Sequence, residues 1–199
     1  MNQSRQAPPR HYMALAFAPV IVALVTLVGL YLYQQGARER RDGWQKPEAV
    51  LDAIGVRTGM RAAESIPSDT YFLERLLRRV GDDGRAFAIA PPGRVSDDIA
   101  REVPTVEIVA EPPPGLDAIL SVHVTMAKQD SKALERTLAE CGKRLNNGGR
   151  IGVIGVRTEG FNTFLPSSEV KRLGTDAGLE LVGEEHLVDR QFLVVLEKN

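Results

Sequence analysis

Cysteine is almost missing from this 199-residue chain, where Cys141 stands alone. A single thiol excludes an internal disulfide framework and any cysteine-built zinc cluster. Histidine is scarce as well. His11, His123 and His186 are widely separated and form no metal-ligand pattern, so no metal site is expected. Neither sign of charge predominates: 25 Lys plus Arg face 26 Asp plus Glu, for a formal net charge of −1. That balance excludes a nucleic-acid binder that works through bulk positive charge. Internal repeats and low-complexity tracts are absent too, and the Pro-rich pieces APPGR and EPPPG read as short connectors. The length leaves room for one ordinary domain with something attached.

What is present begins with an apolar run. Met13 to Leu32 reads MALAFAPVIVALVTLVGLYL, 20 positions without a charge. At about 1.5 Å per residue such a helix covers the hydrocarbon core of a bilayer. Most of its residues favour insertion by a few tenths of a kcal/mol, so the sum is several kcal/mol. Tyr12 flanks one end and Tyr31 and Tyr33 the other, where aromatic rings prefer the headgroup region. Pro19 lies early enough for lipid-embedded neighbours to absorb a kink. The run is too long for a signal-peptide core, and QQGARER after it offers no A-x-A-like cleavage site. These features predict an N-terminal tail over 1–11, a transmembrane helix over 12–34, a juxtamembrane segment over 35–46 and a folded domain over 47–199. QQGARERRDG either continues the helix as far as Gly43 or forms a short linker. Arg38, Arg40, Arg41 and Lys46 follow the run, whereas only Arg5 and Arg10 precede it. That asymmetry predicts a single-pass protein with its C-terminal domain in the cytoplasm.

After Trp44 helical and strand-like patterns alternate. Helices are expected over 47–56, 69–80, 96–103, 131–145 and 167–178, with Asp69 or Ser68 capping the second and Ser167 or Ser168 the last. Strands are expected over 60–65, 85–90, 106–110, 116–124 and 150–156, with a closing antiparallel pair at 179–187 and 191–198. GDDG (81–84) and NNGG (146–149) read as turns. The 116–124 run is almost continuously apolar, as in a strand buried on both faces. Strand–helix alternation of this kind implies an α/β fold: a mostly parallel sheet with helices on both faces and a C-terminal antiparallel hairpin.

Three phrases in this order resemble class I S-adenosylmethionine (SAM)-dependent methyltransferases. RDGWQKPEAVLDAIGVRTGM (41–60) is similar to a lead-in with an Arg-Asp-x-Trp-Gln-x-Pro phrase and a Gly-Met before the first strand. LNNGGRIGVIGV (145–156) is similar to the phrase before the fifth strand. AGLELVGEEHLVDRQFLVVLEK (177–198) is similar to the closing helix and hairpin. The resemblance covers about 40–198 and implies a Rossmann-like methyltransferase fold.

The same resemblance implies a first strand ending in an acidic residue and then a Gly-x-Gly-x-Gly-like turn. Glu64 takes the acidic place, while Ile66, Ser68 and Thr70 take the glycine places, with Pro67 between the first two. Ile66 and Thr70 are β-branched and disfavour positive φ, so a loop keeping the family's backbone path is not expected. The second strand should end in a ribose-binding acid, but RAFAIAPPG ends in Ala90. Asp97 and Asp98 read as the acidic first turn of a helix instead. Asp117 matches an acidic position at the start of the fourth strand and is expected to be structural. His123 reads as a hydrogen-bonded strand-end residue, and Cys141 as a semi-buried thiol without a partner base. No catalytic residue and no bound cofactor are expected.

These readings predict a catalytically silent, membrane-anchored pseudo-methyltransferase. It would serve as a scaffold or accessory subunit of a larger membrane complex, for example a respiratory or photosynthetic one. Its partners would be the bilayer and other membrane subunits, with no nucleic acid. One alternative is an active methyltransferase using SAM on a membrane-associated substrate. Another is a sensor whose remnant cleft is lined by Asn146, Asn147, Arg157 and Asn162.

Overall fold

The structure is a computed structural model that describes residues 11–91, 97–123, 131–156, 165–188 and 191–199. The side chains of 11–19, Ile21, Asp97, Asp98 and His123 lie outside that description, as do Arg5, Arg10, Arg157 and Asn162 altogether. The chain divides into two compact units, residues 1–43 and 44–199.

The first unit is carried by helix α1 (His11–Gln45), which runs unbroken through QQGARERRDG. Of the two alternatives for that stretch, the chain takes the helix. Ala, Arg, Glu and Gln favour helix enough to outweigh Gly36 and Gly43. The large apolar side chains described between Val20 and Tyr33 are all more than half exposed. Among the described residues no helix is long and apolar enough to cross a membrane. The first part of the Met13–Leu32 run falls on side chains outside the description.

The second unit is built on seven strands. Its elements follow one another as α2 (Pro47–Ala53), β1 (Arg61–Ser65), α3 (Tyr71–Val80), β2 (Arg85–Ile89), α4 (Asp97–Glu102), β3 (Glu107–Val109), β4 (Leu116–His123), α5 (Ser131–Arg144), β5 (Leu145–Val156), α6 (Ser167–Asp176), β6 (Glu180–Val188) and β7 (Gln191–Glu197). The sheet order is β3-β2-β1-β4-β5-β7-β6. All neighbours are parallel except the β5–β7 and β7–β6 pairs. The order reverses between β1 and β4, which makes their carboxyl ends the switch point of the sheet.

Both faces of the central strands are buried. Ala62, Ala88, Ala118 and Leu120 face Val50, Leu51, Ile54, Phe72 and Leu76 on one side. Ala63, Phe87, Ile119 and Val153 join Leu134, Leu138, Val170 and Leu173 on the other. Small residues in β1 and β2 let helices approach closely, and burial of the larger apolar side chains stabilises by about 1.5–3 kcal/mol each. The apolar stripe of α3 comes from Tyr71, Phe72, Leu76 and Val80, as its spacing predicts. The capping position is Thr70 and not Asp69 or Ser68, although Asp69 Oδ1, one residue earlier, accepts the Tyr71 N–H at 2.9 Å. Arg79 ties α3 to α2 by donating to Asp52 Oδ1 at 2.5 Å and to Glu48.

Three further local expectations need correction. At α6 the capping position is Pro166, in an extended conformation (φ −73°, ψ 156°), and neither Ser167 nor Ser168 holds it. Proline there enters the helix with φ already set. NNGG does not separate α5 from a later strand, because β5 starts at Leu145 and absorbs it. Pairing with β4 then jumps from Leu116↔Leu145 to Ala118↔Arg150, with Gly148 at φ +76° supplying the left-handed residue of the excursion. Cys141 is fully buried rather than semi-buried, 2% exposed in the core beneath α5.

The closing hairpin packs tightly on β5. A Cβ at Gly155 would lie 2.3 Å from Phe192 Cζ, and Phe192 is itself buried. We therefore expect Gly155→Ala to destabilise the protein by about 1–3 kcal/mol. Adding Phe192→Leu should recover part of that loss. Thermal melts of the two variants in the full chain check this; a silent Gly155→Ala would mean that β7 does not press on β5.

Candidate functional site at the switch point

The carboxyl ends of β1, β2 and β4 frame the position where α/β sheets of this kind bind ligands. Glu64, the penultimate residue of β1, pairs with Ala88 and Leu120 and shares their face of the sheet. It is 3% exposed, a buried carboxyl group at the carboxyl end of the sheet. Ser65 and Ser121 lie side by side in register at the next position, both buried. Ser121 was not singled out by sequence; the signal available was one hydroxyl inside an otherwise apolar run.

The turn after β1 overturns one expectation. Ile66 adopts φ +54° and is, apart from Lys46, the sole non-glycine residue with positive φ among those described. Its N–H donates to the Ile89 carbonyl oxygen at 2.7 Å, so the hydrogen bond to β2 holds it there. The chain thus takes a glycine-type backbone at the first glycine place while carrying a β-branched side chain. For a residue with a Cβ that conformation costs about 1–2 kcal/mol. Burial of the rest of the side chain offsets part of it, since Ile66 is 38% exposed.

The other places differ. Ser68 is exposed and Pro67 is buried. Thr70 precedes α3 with φ −86°, an ordinary right-handed value. Its hydroxyl lies 3.0 Å from Glu74 Oε1 and 3.0 Å from Glu102 Oε2. One hydroxyl proton serves one of these acceptors at a time, so Thr70 is occupied in joining α3 to α4. Glu102 is a distant partner that no local pattern in the chain points to. Nearby, the Arg75 guanidinium stacks over the Tyr71 ring at 3.9 Å and donates to the Tyr71 carbonyl at 3.0 Å. Ala90 follows β2, buried, and spends its N–H on Val109 O at 2.9 Å. Its methyl group offers no acceptor for a ribose hydroxyl.

Asp117 sits at the opposite, amino-terminal edge of the sheet. Oδ2 accepts the Arg61 N–H at 2.9 Å and Oδ1 accepts from Asn146 Nδ2 at 2.7 Å. It pins the start of β1 to β4 and β5. The same bond corrects the place of Asn146 in the sensor reading, because it holds Asn146 at this edge, while Arg157 and Asn162 lie outside the described residues. His123 pairs with Gly155 through the backbone at the carboxyl edge of β4, and its side chain lies outside the description. Among the described residues no group of His, Cys, Asp and Glu could hold a metal ion.

With this geometry in place, similarity to known proteins can be stated. No protein-family model matches the chain, and no curated protein matches it. Solved structures do. A SAM-dependent methyltransferase from Aquifex aeolicus is 21% identical, with a TM-score of 0.65 over 78% of this chain and 91% of that one. Geranyl diphosphate C-methyltransferase from Streptomyces coelicolor, solved with S-adenosyl-L-homocysteine, is 13% identical, with a TM-score of 0.63 over 78% and 80%. The cyclase SpnF is also similar, at 13% identity and a TM-score of 0.59 over 77% and 80%. The chain has the Rossmann-like fold of the class I SAM-dependent methyltransferases. Identities this low establish the fold and leave the reaction open.

Ile66, Ser68 and Thr70 carry side chains at the three glycine places, and the Ala90 methyl group offers no acceptor in the place of the ribose-binding acid. Cys141 offers no substitute chemistry: burial, helped by the charge of Glu140, pushes its thiol from 9.0 up to about 12. The unfolded chain gives up this proton first as pH rises. The thiol's contribution to stability is therefore complete below about pH 9 and is lost progressively from pH 9 towards 12. We expect Cys141 to resist iodoacetamide at neutral to mildly alkaline pH in the folded chain and to react fully in denaturant, as mass spectrometry would show. Rapid labelling of the folded chain would contradict the buried placement.

Proposed function

We propose that this chain is a membrane-anchored, methyltransferase-like accessory domain that does not use SAM. It acts by docking to other membrane subunits. The observation that carries the reading is the combination at the switch point: an isoleucine in a glycine conformation, a threonine committed to Glu74 and Glu102, and an alanine in the ribose place. A domain that keeps its hydrophobic core while its cofactor positions change chemical character is suited to binding rather than turnover.

The anchor half of the proposal is supported by the charge-free Met13–Leu32 run, by helix α1, and by the exposed apolar side chains from Val20 to Tyr33. An exposed apolar surface of that extent needs a cover, and a helical one of about this length suits lipid. The cluster of Arg38, Arg40 and Arg41 supports a cytoplasmic C-terminal domain. If so, the protein stays in the pellet after alkaline carbonate extraction, and a reporter fused after Asn199 reads as cytoplasmic. Release by carbonate would overturn the anchor, and an external reporter would overturn the orientation.

The alternative is a SAM-dependent methyltransferase acting on a membrane-associated substrate. Two observations favour it: the retained acid Glu64 at the end of β1, and the glycine-type backbone of Ile66. Titration of SAM and S-adenosyl-L-homocysteine into the full chain in mild detergent separates the two readings. The accessory-domain reading expects no heat and no thermal shift at millimolar ligand. Micromolar binding would overturn it and make the 64–70 turn a working site.

A further inference from the structure

The turn after β1 presents two separable defects. Ala90 removes a contact, because a methyl group cannot accept a hydrogen bond, yet it takes up little space. Ser68 is small, and Thr70 is buried in its hydrogen bonds to Glu74 and Glu102. Ile66 alone is bulky, apolar and exposed in the stretch 66–70. Its backbone already follows the path that a glycine would take, held by the N–H bond to Ile89 O at 2.7 Å. The loop has therefore kept its course there and acquired a side chain on top of it.

Both features of Ile66 are unfavourable for the fold alone. A β-branched residue is among the least suited to positive φ, where Gly, Asn or Asp sit more easily. An isoleucine 38% exposed also recovers only part of its burial free energy. Strain of this kind persists where the surroundings over-determine it and tends to mark a site where the residue has a task.

We propose that Ile66 is an occluding residue: its side chain, mounted on a glycine-type backbone, stands in the opening at the β1–β4 switch point and keeps an adenosyl ligand out. The proposal deepens the reading that the natural chain does not use SAM, and rests on it. Closure then comes from one side chain on a preserved turn, not from collapse of the loop. Removing that side chain reopens the space without rebuilding the backbone.

The test compares the full chain in detergent with its Ile66→Gly and Ile66→Val variants, by thermal melting and by titration with S-adenosyl-L-homocysteine. Ile66→Gly should melt within about 4 °C of the natural chain, because the relieved strain offsets the lost apolar contact and the added freedom of the unfolded chain. It should also bind S-adenosyl-L-homocysteine at least about tenfold more tightly than the natural chain, even without a ribose-binding acid. Ile66→Val keeps the branch and should match the natural chain in both respects. An Ile66→Gly variant that melts more than about 4 °C below the natural chain would overturn the strained-mount argument. One that melts within that range but gains no affinity would overturn the occlusion. Tight binding by the natural chain itself would instead overturn the accessory-domain reading, whereas failure of the variant leaves that reading standing.

Discussion

The hydrogen bond from the Ile66 N–H to the Ile89 carbonyl oxygen, 2.7 Å long, sets the geometry at the head of the sheet. β1 lies between β2 and β4, parallel to both, so its last residues have neighbours on either side. The chain must then leave the sheet within a few residues and enter α3 at Tyr71. With the N–H of Ile66 committed to β2, the short route demands one left-handed residue, and the chain supplies it at whatever side-chain cost. The core does not depend on which residue sits there. Leu51, Phe72 and Leu76 pack against Ala62 and Leu120 below the turn, and their burial far exceeds the strain of a single dihedral.

That hierarchy explains how the fold persists with altered cofactor positions. The parallel core and the closing hairpin are held by apolar burial on both faces, which is non-directional and tolerant of local exceptions. Asp117 contributes at the far edge, where its two oxygens tie Arg61 and Asn146 to the start of β4. Cofactor contacts, by contrast, need particular atoms at particular places. The core does not depend on an acceptor at Ala90 or on bare backbone at Ser68 and Thr70, so the fold is compatible with the residues found there.

Much of the architecture was legible in the chain because periodicity reports burial. The stripe of α3 and the doubly buried run of β4 follow directly from where apolar residues recur. Less was legible where backbone geometry overrode residue preference. Ile66 is the clearest case: its type argues against positive φ, and only the bond to β2 reveals why the chain adopts it. The Pro166 start of α6 and the β4–β5 irregularity at NNGG have a similar origin, since neighbouring elements decided them. Contacts between distant segments, such as Thr70 with Glu102, leave no mark on periodicity at all.

The two halves of the chain suggest one division of labour. On the proposed reading, an apolar helix with an arginine-rich flank would concentrate its domain at a membrane surface and raise the effective concentration of any partner held there. A domain so tethered needs little intrinsic affinity to remain associated. Selection on a catalytic pocket can relax while selection on the fold and the anchor continues. A strained isoleucine at the pocket mouth is consistent with that order of events. Relaxed selection alone would drift towards residues that tolerate the left-handed backbone, such as Gly, Asn or Asp. On the proposed reading, a β-branched apolar residue there, partly exposed and at a cost to the fold, is better explained if a closed site has value, because a tethered, silent domain with an open cleft would sequester a nucleotide ligand without turning it over.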